Sequence, residues 1–192
     1  MGILTRAFRT EFGTVDMLLR SDFETRGVDA FCLSWIKYER QLRRLVAFLI
    51  YQSDQLNPGD RSTLRNAFVD NMGIGHGDLR SAVFRLSGRS PTDLLGGDYR
   101  RLKATLDQSY KIRQKLLHGQ QTGQDLSRVD LLARIDGIQE WCKRLSDSCD
   151  HELGYDGFAR AGSLRKSGRS DLSRRVDATL NGLAWDQFVK RL

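Results

Sequence analysis

The chain has 192 residues, 40% of them hydrophobic and 29% charged, with 2 Pro and 3 Cys. That length and balance suit a single buried core. They exclude a disulfide-stapled scaffold and a low-complexity polymer, and no apolar run approaches the ~20 residues that a membrane-spanning helix needs. Lys and Arg number 31 against 24 acidic residues, a formal net charge of +7, which favours polyanionic partners.

The first thirty residues are expected to form an N-terminal helical extension, with Phe8, Phe12, Val15, Leu18 and Leu19 at loose helical spacing interrupted by Gly13 and Gly27. The opening Met1-Gly-Ile-Leu-Thr-Arg6 has neither the apolar run of a signal peptide nor the Ser or Thr of a myristoylation motif. With Cys32, Cys142 and Cys149 in no paired spacing, a cytoplasmic protein without a membrane partner is expected. From residue 31 the pattern sharpens: Phe31, Trp35, Tyr38, Leu42, Leu45 and Leu49 recur at steps of four and three, one face of a long helix ending near Asn57-Pro58-Gly59. Asp60 or Ser62 can cap a second helix bearing Leu64, Phe68 and Met72, stopped by Gly73-Ile-Gly-His-Gly77. A shorter amphipathic segment holds Leu79, Val83 and Leu86, and Ser90-Pro91 is an N-cap and first-turn pair.

After Gly96-Gly97-Asp98 a long helix is expected from about Tyr99 to Leu117, with Leu102, Leu106, Tyr110, Leu116 and Leu117 apolar and Gly119 as its cap. A polar turn at 120–124 leads to a last long helix, whose face of Val129, Leu132, Ile135, Ile138, Trp141, Leu145 and Cys149 runs to Gly154. The short connection implies an antiparallel hairpin. Residues 31–154 therefore predict an all-α, antiparallel up-and-down helical bundle. Residues 155–192 predict a C-terminal helical appendage: Arg160, Arg165, Lys166, Arg169, Arg174 and Arg175 among Gly and Ser, then an amphipathic stretch with Leu180, Leu183, Trp185, Phe188 and Leu192.

At about 100° per residue, Arg113 falls within the apolar face set by Leu102, Leu106 and Leu117. A guanidinium there needs an acidic partner, a cleft or a second subunit. Glu39 is a candidate, although Arg43 four residues later makes a solvated Glu39–Arg43 pair the first reading and support of Arg113 the second. His118 follows just before Gly119, where the ring can turn toward the same mouth.

The run Arg113-Gln114-Lys115-Leu116-Leu117-His118-Gly119, at the end of the penultimate long helix of a helical bundle, resembles the signature of the HEPN superfamily of RNA-cleaving domains. The resemblance implies an up-and-down bundle, a homodimer with two motifs facing each other across the two-fold, and a metal-independent endoribonuclease. Arg113 and His118 would be catalytic, with Gln114 and Glu39 in support and no cofactor. In this chemistry a histidine removes the proton of a ribose 2′-hydroxyl and an arginine stabilises the phosphate, leaving a cyclic phosphate. Gln114 keeps an amide where the family most often has Asn, and Gln120 stands where one toxin branch carries tyrosine. A toxin or anti-phage effector, with a cognate antitoxin or other partner protein, is the biological role the family implies. Lys115, Arg165, Lys166 and Arg169 are candidates for RNA contact. Two alternatives remain open: a module that binds RNA or protein without cutting, and a helical regulatory subunit that docks through Trp185 to Leu192.

Gly73-Ile-Gly-His-Gly77 has the glycines of a phosphate cradle, but no strand precedes it and no Lys-Ser or Lys-Thr follows, so a turn is expected. Cys142, Cys149 and His151 lack paired ligand spacing, and no metal is expected.

Overall fold

The computed structural model describes residues 6–71, 73–118, 126–159 and 162–192. Among these there are nine α-helices and no strand: α1 (Arg6–Arg20), α2 (Arg26–Tyr51), α3 (Arg61–Asp70), α4 (His76–Ser87), α5 (Pro91–Leu95), α6 (Tyr99–Leu117), α7 (Arg128–Leu153), α8 (Ser170–Leu180) and α9 (Trp185–Lys190). No described helix is long and apolar enough to cross a membrane. Met72, expected on the second helix, the expected cap Gly119, the 120–124 turn and Arg160 lie outside the described residues.

α2 is the axis of the fold. Its aromatic and aliphatic residues point to more than one side, so that Phe31, Trp35, Tyr38, Leu42, Leu45, Phe48 and Leu49 are all fully buried while α1, α4 and α7 pack around it. α7 runs parallel to α2: Gly27 lies against Leu131, and farther along the buried Gln41 amide donates to the Cys142 carbonyl at 2.9 Å. α6 runs antiparallel to α7, as expected, with Asp98 beside Arg144 and Gln108 beside Arg134. Gly137 allows this hairpin to close, because a Cβ there would sit 2.6 Å from Thr105 Cγ2.

Local chemistry fixes the helix ends. Ser90 accepts from the Asp93 amide with Pro91 in the first turn, and Ser127 does the same for Asp130 at the start of α7. Gly154 ends α7 in the left-handed conformation at φ 79°, which costs a residue without Cβ little.

Three expectations change in detail. The buried face of α7 is Leu131, Ile135, Ile138, Trp141, Cys142, Leu145 and Cys149, whereas Val129, in the first turn, is 74% exposed. Leu117, assigned to the apolar face of α6, is 57% exposed at the helix end. The final amphipathic stretch is two helices, α8 and α9, separated at Asn181 and Gly182, both at positive φ. Neither the expected extension nor the expected appendage stands off the bundle. Phe8, Phe12 and Val15 of α1, Tyr155 and Phe158 after α7, Leu172, Val176 and Leu180 of α8, and Phe188 and Val189 of α9 share one apolar core with the central helices. α8 covers α4 and α9 covers α3, two short helices whose apolar sides α2 alone does not bury.

Candidate functional site

The buried side chains of α6 are Leu102, Leu106, Ser109 and Ile112, which places Arg113 at the edge of the core rather than at its centre. Its side chain is 25% exposed, with Nη2 4.0 Å from Glu39 Oε2. Glu39 is itself oriented, since Trp35 Nε1 donates to its Oε1 at 2.8 Å. Arg113 Nη1 donates to Gln114 Oε1 at 2.8 Å, and Gln114 Nε2 donates to Tyr110 Oη at 2.8 Å. Arg43, the first partner expected for Glu39, instead donates to the Ile74 carbonyl at 3.2 Å. One turn of α2 and one turn of α6 thus enclose the guanidinium from two sides.

Beneath this pair lies an aromatic cluster that sequence reasoning divided between core and turn. The His76 ring is 4.6 Å from that of Tyr110 and 5.1 Å from that of Trp35, and its Nδ1 lies 3.3 Å from Tyr38 Oη. Burial, reinforced by Arg80, holds the imidazole below its ordinary pKa against the opposing pull of Glu39, Asp107 and Asp78. Asp107 faces Arg80 at 3.5 Å and Lys103 at 2.5 Å; despite the contrary effect of burial, these two cations keep its carboxyl below the usual range. The glycine-rich 73–77 segment delivers this histidine as the first residue of α4, where Gly75 N–H donates to Asp78 at 3.2 Å. The available signal was the i,i+4 spacing of Trp35 with Glu39 and of Tyr110 with Gln114.

His118 caps α6 at φ −94° and ψ 10°, with its backbone N–H donating to Gln114 O at 3.1 Å and its side chain exposed. On an unbroken helix it would lie about 7.5 Å beyond Arg113 and ~140° around the axis. Its N–H keeps the helical bond to Gln114 O, so its Cβ stays close to that line. The structure therefore brings together Arg113, Gln114 and Glu39, with Lys115 in the same turn, while His118 ends the helix one turn farther on with its exposed side chain on a different face from Arg113.

Arg165, Lys166 and Arg169 are not part of this group. Arg165 donates to Gly154 O at 3.2 Å, Lys166 to Ser53 O at 2.6 Å, and Arg169 to Glu152 O. These carbonyls lie at the C-terminal ends of α2 and α7, while α6 ends beside their N-terminal ends. Glu39 lies midway along α2, 14 residues or about 21 Å before Ser53.

Among the described residues no group of three or more His, Cys, Asp or Glu side chains is placed to hold a metal ion. Cys142 and Cys149 are wholly buried, which pushes both thiols up, and His151 is exposed beside Glu152.

Comparison with protein-family models, curated proteins and solved structures finds no match for the chain.

Proposed function

We propose that the chain is a metal-independent endoribonuclease of the HEPN kind, in which Arg113 and His118 of two copies act on one phosphodiester. The observation that carries this reading is the anchoring of Arg113: a guanidinium three-quarters buried, oriented by Glu39 and Gln114, at the end of the helix that an exposed histidine terminates. A surface arginine with no task would not need two oriented supports, and fixed positive charge is what a developing phosphorane requires.

In the proposed reaction, one His118 accepts the ribose 2′-hydroxyl proton. The 2′-oxygen bonds to the adjacent phosphorus and the bond to the 5′-oxygen breaks. The second copy's His118 gives the leaving oxygen its proton, and Arg113 stabilises the phosphate oxygens. An imidazole can serve as proton acceptor in one copy and as proton donor in the other. Glu39 and Gln114 act through Arg113 as positioning residues. The longer side chain of Gln114 suits this role, since its carbonyl holds the arginine while its amide reaches Tyr110. Exposed Leu117 and Val129, at the end of the molecule that carries His118, offer apolar surface for a second copy to cover. A role as a toxin or anti-phage effector, silenced by a partner protein, follows from the family resemblance.

The test is cleavage of labelled single-stranded RNA and total tRNA in the presence of chelator. The wild-type chain should cut, and His118→Ala should lose at least about 100-fold in rate with its melting temperature unchanged, since the side chain is exposed. Equal cleavage by the variant would overturn the assignment, and tight RNA binding without cleavage would make the protein a holding module.

A further inference from the structure

Alongside the Arg113 support, α6 and α7 form an open groove of about 590 Å³ lined by Lys111, Lys115 and Arg134, by the amides of Gln108 and Gln114, and by Tyr110. No carboxylate is among the described lining residues. Of the acidic residues nearby in sequence, Asp107 is held by Lys103 and Arg80 and Asp130 by Ser127. Arg134 is the most telling member. Its Nη1 donates to the neutral Gln108 amide oxygen at 3.3 Å, and its Nε is buried without a hydrogen-bond partner. A partly buried guanidinium beside a neutral amide, with Lys111 in the same groove and no acid among the described lining residues, is a site arranged for an external anion.

We infer that this groove binds the phosphate backbone of a single-stranded RNA and leads it to the end of α6. Lys111 and Lys115 are one helical turn apart, about 6 Å along the axis, the scale of one nucleotide of an extended strand. The groove ends three residues before His118, so a strand lying in it enters the proposed cleavage site. The amides can donate to phosphate oxygens or meet a ribose hydroxyl, which a purely cationic patch could not. Delivery for cleavage rests on the ribonuclease reading, whereas binding does not.

The experiment is fluorescence anisotropy of a labelled single-stranded RNA with the full chain carrying His118→Ala, measured across a salt series. Adding Lys111→Ala and Arg134→Ala together should weaken binding more than about tenfold at 0.1 M salt and reduce the log–log salt slope by about 1.4, or ~0.7 per cation. Arg134→Lys should keep the slope. Arg174→Ala, which removes the same charge from the exposed face of α8, should change neither. In the cleaving background, the double variant should raise KM and keep kcat within twofold. Unchanged affinity and slope in a folded double variant would overturn the groove, as would an equal loss from Arg174→Ala or a preference for an acidic peptide over RNA. Groove-dependent RNA binding by a wild-type chain that does not cut would uphold the groove and remove the ribonuclease reading.

Discussion

At the C-terminal ends of α2 and α7, Arg165, Lys166 and Arg169 place their cationic groups on the carbonyl oxygens of Gly154, Ser53 and Glu152. Along the last two turns of α6, Lys111 and Lys115 share a groove with Arg134 that has no carboxylate among its described lining residues. Both regions are basic, and the segment from 160 to 175 is the more conspicuous in sequence. Helix C-termini carry unsatisfied carbonyls and the negative end of the macrodipole, and cations that arrive there serve as caps. Lys115 stands in the last turn of α6, where the same demand exists, but Lys111 and Arg134 lie away from any helix C-terminus. A charge run is therefore informative only once its distance from helix ends is known.

The largest expected effect that sharpens this contrast falls at Arg113. Removing the carboxylate in Glu39→Ala leaves Trp35 Nε1 buried without its acceptor and Arg113 without its counter-ion. It should cost about 2 kcal/mol of stability and lower RNA cleavage, with Glu39→Gln recovering part of the stability because the amide oxygen can still accept. Urea unfolding of the two variants checks this, and equal losses would assign the effect to charge alone. Next is Lys166→Ala at the other end. It removes the contact with Ser53 O and the position over the Tyr51 ring, costing about 1 kcal/mol, roughly 2–4 °C in a chain of this size. RNA affinity should stay within twofold, and a larger loss would return the basic segment to the binding surface.

The smallest effect concerns pH. Because burial lowers the His76 pKa below its ordinary value of 6.5, the unfolded chain takes up this proton more readily than the folded one. The stability contributed by the neutral ring is complete above about pH 6.5 and is lost as the pH falls through the lowered value. Melting temperature should decline between pH 7 and 5, and less steeply in His76→Gln. Parallel profiles would show that His76 titrates as it does in the unfolded chain.

Much of the fold was legible because its signals are local. The α6 span and the Gly154 end of α7 follow from periodicity and cap chemistry that the structure retains. The packing of α1, α8 and α9 into the common core was not legible: short helices interrupted by glycine and arginine give no sign of which partner they cover, and α8 meets α4 across nearly a hundred residues. For the site, the Arg113 to His118 spacing and the Glu39 partner could be named from helical geometry. His76 could not, because its neighbours Tyr38 and Tyr110 come from two other helices. The groove was equally hidden, since Arg134 joins the α6 lysines only through the antiparallel hairpin.

The most direct test of the central claim is the chemistry of the cut ends. A single-stranded RNA cleaved by the purified chain in chelator should yield 2′,3′-cyclic phosphate and 5′-hydroxyl products, and a single 2′-O-methyl group placed at the mapped position should block that cut. Products with 3′-hydroxyl and 5′-phosphate ends, or cutting that tolerates the 2′-O-methyl group, would contradict the proposed attack by the 2′-oxygen and with it the roles given to His118 and Arg113.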